Sequence, residues 1–172
     1  PEALERVPPE TNVDFSKDLF PQMLRGNARL FGHIAQGYWR DVGNLAEYRR
    51  ANSDALAGRV NLTIRGEKRE QERATLWGES GARVGRETRL AGTVILGRRA
   101  QIGHGAILEN VVVGPDVEIG DGAELRDVVL WEDCVVGAGA RINETVCASN
   151  ARVGEGAMVR ENTILSDRAE VG

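Results

Sequence analysis

Residues 96–163 read LGRRAQIGHGAILENVV, VGPDVEIGDGAELRDVV, LWEDCVVGAGARINETV and CASNARVGEGAMVRENT, four segments of 17 residues that align without a gap. A fifth segment begins at Leu165 after one extra residue. In this alignment a glycine follows an aliphatic residue in every segment, at Gly103, Gly120, Gly137, Gly154 and Gly172. Self-similarity at a short fixed period predicts a solenoid, in which each unit buries its apolar side only against its neighbours.

Within each 17-residue segment, large aliphatic residues recur after six, six and five positions, as at Val113, Ile119, Leu125 and Leu130. A small apolar residue follows most of them four positions later, as at Val117, Ala123 and Val129. Short apolar stretches separated by glycine indicate short strands joined by tight turns. Three strands and three corners per turn predict a triangular prism filled with aliphatic side chains. In such a prism we expect Ala123→Leu or Ala140→Leu to overpack the interior.

This pattern resembles the hexapeptide-repeat left-handed parallel β-helix, and the resemblance covers residues 77–172. It implies a mainly β fold. Only the resemblance implies the left-handed sense, which runs against the usual right-handed preference of parallel crossovers.

Composition excludes several classes of function. The chain has 172 residues and a net charge of −4, which implies no nucleic-acid-binding surface. No apolar run approaches the ~20 residues that span a bilayer, and no secretory leader opens the sequence. Cys134 and Cys147 fall in inward-facing columns and are interpreted as small core residues in a reducing compartment. We therefore expect a cytoplasmic protein that binds neither membrane nor nucleic acid.

The residues before Trp77 show no repeat. The pattern predicts a helix over residues 15–24 capped by Asp14 or Ser16, a strand over 28–36 and a turn over 37–43. A second helix is predicted from Asn44, paired with Glu47 as in a capping box, to Gly58. The charged stretch 65–73 is expected to be an exposed linker. These elements bury too little apolar surface to stand alone.

Three segments of this region resemble the sugar-phosphate nucleotidyltransferases, most of all the mannose-1-phosphate guanylyltransferase branch. They are VDFSKDLFP at 13–21, GYWRDVG at 37–43 and the helix through Tyr48 and Ala51. The resemblance implies that residues 1–58 are the C-terminal remnant of an α/β catalytic domain, 59–76 a linker and 77–172 the β-helix. The family's glycine-rich nucleotide loop is absent, so we expect this chain to be inactive alone. Because it starts inside one domain and stops inside a coil, we also expect it to be cut at both ends.

The resemblance also implies a reaction and its residues. In this family a sugar 1-phosphate attacks the α-phosphorus of a nucleoside triphosphate in the presence of Mg²⁺, and pyrophosphate leaves. Asp41 matches the family's magnesium-binding aspartate, with Trp39 packing beneath it, and Lys17 could face the sugar phosphate. The alternative interpretation of Asp41 is a turn residue that bonds its own backbone two positions on. The alternative for Lys17 is a solvated lysine.

An acyltransferase is a second hypothesis, since many hexapeptide β-helix proteins transfer acyl groups with a histidine as base. Only His33 and His104 are available. His104 shares its column with Asp121, Ala138 and Glu155, which indicates an exposed corner and favours a solvated turn residue.

A non-catalytic assembly or regulatory module is the third hypothesis. Trp131 lies in an outward column that otherwise holds Gly97, Gly114, Ala148 and Ser166. A large outward aromatic favours an interface, either with the catalytic domain or with another subunit of a homo-oligomer formed through the β-helix. The alternative is a single exposed tryptophan, which needs no explanation.

Overall fold

The computed structural model describes residues 2–172, and the chain divides into two compact units at Gly37. The first unit holds a short 3₁₀ turn, Leu4–Arg6, and a π turn, Phe15–Leu19, that continues as helix α1, Phe20–Arg25. The Asp14 carboxylate caps this helix, because it accepts hydrogen bonds from the backbone N–H groups of Ser16 and Lys17, both at 2.8 Å. The predicted first helix is confirmed.

The predicted strand over 28–36 is wrong. These residues are all described, and they form neither helix nor strand. An extended segment becomes a strand only when a neighbouring strand satisfies its backbone groups. The apolar residues of this stretch remain open, since Phe31 and Ile34 are each 87% exposed.

The second unit begins with helix α2, Leu45–Leu56. The Asn44 side chain accepts a hydrogen bond of 2.9 Å from the Glu47 backbone N–H, so the predicted cap is confirmed. The helix ends before Gly58, which has a positive φ of +72°. Neither this helix nor any other in residues 2–172 has the length and apolar character needed to cross a membrane.

The strands of the second unit are β1 Glu67–Glu70, β2 Ala74–Gly78, β3 Arg83–Val84, β4 Arg89–Leu96, β5 Gln101–Ile102, β6 Ile107–Val113, β7 Glu118–Ile119, β8 Glu124–Arg126, β9 Val129–Leu130, β10 Val135–Val136, β11 Arg141–Asn143, β12 Val146–Cys147, β13 Arg152–Val153, β14 Met158–Val159, β15 Ile164–Leu165 and β16 Glu170–Val171.

These strands stack in three ladders that form the faces of a prism. One face runs β3-β5-β7-β10-β13-β16. A second runs from the start of β4 through β6, β8 and β11 to β14, and a third, which we call face C, runs from β2 through the ends of β4 and β6 to β9, β12 and β15. All of these pairs are parallel. The predicted parallel β-helix is confirmed.

The first coil starts earlier than the repeat indicated. Strand β2 begins at Ala74 and pairs with β4 in the parallel register of the later coils. Strand β1 pairs antiparallel to β2, with Glu67 opposite Gly78. The stretch 59–76, interpreted as a linker, therefore contains β1 and the first three residues of β2. The charged strand β1 is exposed along its length, as its composition indicated.

The interior of the prism is aliphatic, as predicted. Ala123 and Ala140 are fully buried, and Leu125 is 0% exposed. Cys134 and Cys147 are buried and unpaired, and burial raises the pKa of the Cys147 thiol to about 12. Thiols buried in this way behave as small apolar core residues.

One inward-facing position differs from the prediction, which placed Val129 inside the prism. Val128 belongs to the core, whereas Val129 lies in the register position of Val112 and Val146 and faces outward on face C. The corner residue Asp127 has a positive φ of 51°. Because the chain turns there, the side chain that enters the prism is that of Val128, one residue earlier than the spacing indicated.

Candidate functional site

Face C carries apolar side chains on its outer surface. The outward register positions of successive coils hold Ile95, Val112, Val129, Val146 and Ile164. Outward positions of an exposed sheet are usually polar. Val129 is only 7% exposed and Val146 only 2%, so another element covers the middle of this column.

Helix α2 is joined to this side of the β-helix by polar contacts along its length. The Arg49 guanidinium donates to the Glu144 carboxylate at 2.5 Å and to the Asn162 amide oxygen at 2.6 Å. At the end of the helix, the Thr93 hydroxyl donates to the Leu56 carbonyl at 3.0 Å. A cavity of about 330 Å³ between the two elements is lined by residues such as Ala46, Leu56 and Val129. Helix α2 and the β-helix therefore pack as parts of one unit.

Trp131 takes part in the same packing. Its indole Nε1–H donates to the Tyr48 hydroxyl at 3.1 Å, and the two rings meet edge to face at a centroid distance of 6.4 Å. The indole is 43% exposed. The outward tryptophan thus has a partner within its own chain, on helix α2.

We expect Trp131→Ala to loosen α2 and to cost about 1 kcal/mol of unfolding free energy, because one hydrogen bond and one aromatic contact disappear. Hydrogen exchange of the α2 amides and urea unfolding measure the two effects. Trp131→Phe is the matched control, since it keeps a ring but removes the donor, and its effect should be smaller. Unchanged α2 exchange in Trp131→Ala would show that this contact does not hold the helix.

A second cluster centres on Asp54 of α2, which is 6% exposed. The Tyr38 hydroxyl donates to Asp54 Oδ2 at 2.7 Å, and Arg40 Nη2 donates to the same oxygen at 2.8 Å. Arg59 donates to Oδ1 through Nε at 2.9 Å and also through Nη2. Arg40 also donates through Nη1 to Glu47 at 2.5 Å. A buried carboxylate is stable only when such donors replace its water.

The donors also change the acidity of this carboxyl group. Hydrogen bonds from Tyr38, Arg59 and Arg40 lower the pKa of Asp54 from 3.8 to about 2. A lowered pKa in the folded protein stabilises the fold above the unfolded value. The contribution of the Asp54 cluster is therefore complete above about pH 4 and is lost as the pH falls toward 2.

The segment before α2 alternates between anchored and free side chains. Tyr38 and Arg40 reach Asp54, whereas the intervening Trp39 is 81% exposed. Asp41 is exposed as well. The expectation that Trp39 packs beneath Asp41 is therefore wrong, and the two neighbours of Trp39 make the anchoring contacts instead.

The Asp41 carboxylate is free of partners among residues 2–172, where no side-chain hydrogen bond or ion pair engages it. The turn interpretation required a hydrogen bond from the Gly43 backbone N–H, which is absent there too. A free carboxylate is a hard oxygen ligand of the kind Mg²⁺ takes, usually with one or two carboxylates and substrate phosphates. The described part of the chain holds no group of three or more metal-ligating side chains. The exposed Asp41 carboxylate has the chemistry to supply one oxygen ligand.

Lys17 and His33 belong to the first unit, and His104 belongs to the second. Lys17 is exposed in the first turn of the capped helix of the first unit, and His33 is exposed in the same unit. His104 lies at a corner of the β-helix, where its Nδ1 accepts a hydrogen bond of 3.2 Å from the Arg86 backbone N–H. Its own backbone N–H donates to Asp121 at 2.7 Å. His104 therefore has the contacts of a corner residue.

Sequence reasoning missed both the Asp54 cluster and the outward column of face C. Two features of the sequence indicated them. Glu47 and Asp54 are seven residues apart and so share one face of α2. The outward positions Val112, Val129 and Val146 repeat every 17 residues with no polar member.

Comparison with known proteins gives a family and a set of enzyme relatives. A family model described as the EIF2B subunit epsilon LbH domain, a left-handed β-helix, matches residues 73–172. The mannose-1-phosphate guanylyltransferase of Mycobacterium tuberculosis is 30% identical over 108 residues, which are 62% of this chain and 29% of that protein. The glucose-1-phosphate adenylyltransferase of Desulfitobacterium hafniense is 30% identical over 102 residues, 59% of this chain and 22% of that protein.

The chain thus spans less than a third of the length of these two relatives. A solved structure of a hexapeptide transferase family protein from Anaplasma phagocytophilum has a TM-score of 0.42 and 18% identity, covering 55% of this chain and 71% of that one.

Proposed function

The chain belongs to the family of left-handed β-helix domains described as the EIF2B subunit epsilon LbH domain, and we propose that it is part of a sugar-phosphate nucleotidyltransferase. The proposed enzyme joins a sugar 1-phosphate to a nucleoside triphosphate and releases pyrophosphate. Its proposed type is mannose-1-phosphate guanylyltransferase, and its proposed location is the cytoplasm, where two unpaired cysteines are expected.

The alignment with the guanylyltransferase of Mycobacterium tuberculosis supports this proposal. It covers 62% of the chain, about the length of the segment 73–172 that matches the family model. One relative is named as a mannose-1-phosphate guanylyltransferase and another as a glucose-1-phosphate adenylyltransferase. Because these names differ in both base and sugar, they support the general reaction more strongly than any particular substrate.

The single structural observation that carries the proposal is the exposed Asp41 carboxylate, which has no partner among residues 2–172. Asp41 follows Tyr38 and Arg40, whose side chains donate hydrogen bonds to Asp54 of α2. Nucleotidyl transfer needs little covalent help from a protein but needs two anions aligned and their charge offset. We propose that Asp41 contributes one carboxylate to Mg²⁺ in the complete enzyme. Magnesium supplies charge compensation for the phosphates when it is bound.

Lys17 remains a proposed contact to the sugar phosphate. Its exposed ammonium group fits an anion, and it lies on a turn fixed by the Asp14 cap. The groups that hold the triphosphate are proposed to lie outside these residues, so the 172-residue chain alone should form no product.

The test uses the natural polypeptide that contains these residues, purified from its own cells. It is incubated with Mg²⁺, each common nucleoside triphosphate and either mannose 1-phosphate or glucose 1-phosphate, and products are identified by mass spectrometry. We expect one nucleotide sugar to form with equimolar pyrophosphate, and we expect none from the 172-residue chain. Failure of every substrate pair would overturn the proposed function.

A second candidate is a non-catalytic assembly module. The matching family model favours it, since its description names a domain of a subunit. Sedimentation of the 172-residue chain tests the homo-oligomer that this candidate requires. A monomer at micromolar concentration would argue against assembly through the β-helix.

A further inference from the structure

Asp54 connects three parts of the second unit that are separate in sequence. Its Oδ2 accepts hydrogen bonds from Tyr38 and Arg40 of the segment before α2, and its Oδ1 accepts from Arg59 after the helix. Arg40 Nε also donates to the Tyr38 hydroxyl at 3.0 Å. One carboxylate therefore fixes the entry and the exit of the helix.

Tyr38 and Arg40 are both held by Asp54, whereas Trp39 between them and Asp41 after them have exposed side chains. Trp39 is 81% exposed. The contact thus restrains the backbone on which Asp41 lies.

The helix that carries Asp54 is itself fixed on the β-helix. Arg49 donates to Glu144 and Asn162 in two successive coils, Tyr48 contacts Trp131, and the Leu56 carbonyl accepts from Thr93 nearer the start of the β-helix. Segment 38–41 is therefore oriented by the solenoid through α2.

We propose that Asp54 and Arg40 are positioning residues that direct Asp41 and Trp39 toward the reacting groups, with the β-helix as their rigid frame. This inference rests on the proposed function, since it gives the β-helix a part in the reaction beyond assembly. Neither residue touches substrate in this account. Both act through the direction of the Asp41 side chain.

Asp54→Asn tests the proposal, because the amide keeps one acceptor oxygen but loses the charge that binds two guanidinium groups. Asp116→Asn is the matched control. Asp116 also pairs with an arginine, Arg99, at 2.5 Å, but on the β-helix away from α2. Two measurements are made on the natural polypeptide: hydrogen exchange of the amides of residues 38–43, and the rate of nucleotide-sugar formation as a function of Mg²⁺ concentration.

In Asp54→Asn we expect exchange at 38–43 to rise about tenfold or more and kcat/KM to fall roughly 10- to 100-fold, since small misplacements of reacting groups have effects of this size. The Mg²⁺ concentration for half-maximal rate should rise, a change that lower stability alone does not produce. Tyr38→Phe, which removes a single donor, should give an intermediate result. Asp116→Asn should change none of these quantities.

Unchanged exchange in Asp54→Asn would overturn the anchoring contact, whatever the activity. Raised exchange with unchanged kcat/KM and unchanged Mg²⁺ dependence would overturn the positioning role. If the unmodified polypeptide forms no nucleotide sugar, both the proposed function and the positioning role are wrong. Raised exchange in Asp54→Asn would still show that Asp54 holds segment 38–43. The two failures are therefore distinguishable.

Discussion

Gly120→Ala should destabilise the β-helix by about 3 kcal/mol or more, the upper end of what an overpacked site costs. A Cβ at Gly120 would lie 2.5 Å from the Ala138 backbone nitrogen and 2.8 Å from the Ala138 Cα in the next coil. Backbone atoms of a stacked coil cannot move aside as the end of a flexible side chain can. The substitution therefore forces two coils apart.

Gly122→Ala is the matched control for this prediction. It lies two residues away at the same corner, has a positive φ of +65° and has no atom within 4 Å of an added Cβ. Its cost is backbone strain alone, about 1–2 kcal/mol. Chemical denaturation of both variants separates overlap from strain. Equal losses in the two variants would contradict the coil spacing described above.

Ala123→Leu should cost about 1–3 kcal/mol, because extra methylene groups have no space inside a filled prism. Ala123 is 0% exposed and belongs to a core in which each coil contributes the same position: Ala106, Ala123, Ala140 and Ala157. Thermal and urea unfolding measure the loss. Ala140→Leu should behave in the same way.

The control is Ala138→Leu, the same chemical change at a partly exposed corner position. Its side chain can extend into solvent, so its effect should stay within about 0.5 kcal/mol. An unfolding free energy for Ala123→Leu that matches the control would show that the inward register is incorrect.

The β-helix could be predicted from sequence because its interior is strictly periodic. A column such as Ile102, Ile119, Val136 and Val153 repeats at every turn, and all four residues are buried. The Val128 and Val129 positions could not be separated, since both are valines and only the turn at Asp127 decides which one enters the core. Periodicity alone does not describe such a corner.

The candidate site was predictable only in part. The GYWRDVG stretch identified Asp41 as a candidate. However, Tyr38 and Arg40 of that stretch both bind Asp54, which lies 16 and 14 residues further along the chain on a helix. Contacts of that kind depend on tertiary packing, and the local signal, the seven-residue spacing of Glu47 and Asp54 on one helix face, does not identify their partners. The strand expected at 28–36 failed for a related reason, since a strand needs a pairing partner that the described residues do not supply.

The intact mass of the natural polypeptide tests the central claim most directly. An antibody against the β-helix captures the protein from its own cells, and mass spectrometry gives the mass of the chain. We expect a mass roughly twice that of this 18.7 kDa chain, since the 108 aligned residues are 29% of the guanylyltransferase relative. A natural product of 18.7 kDa would contradict it, because a free-standing β-helix module would then carry Asp41 with no nucleotide-binding part to serve.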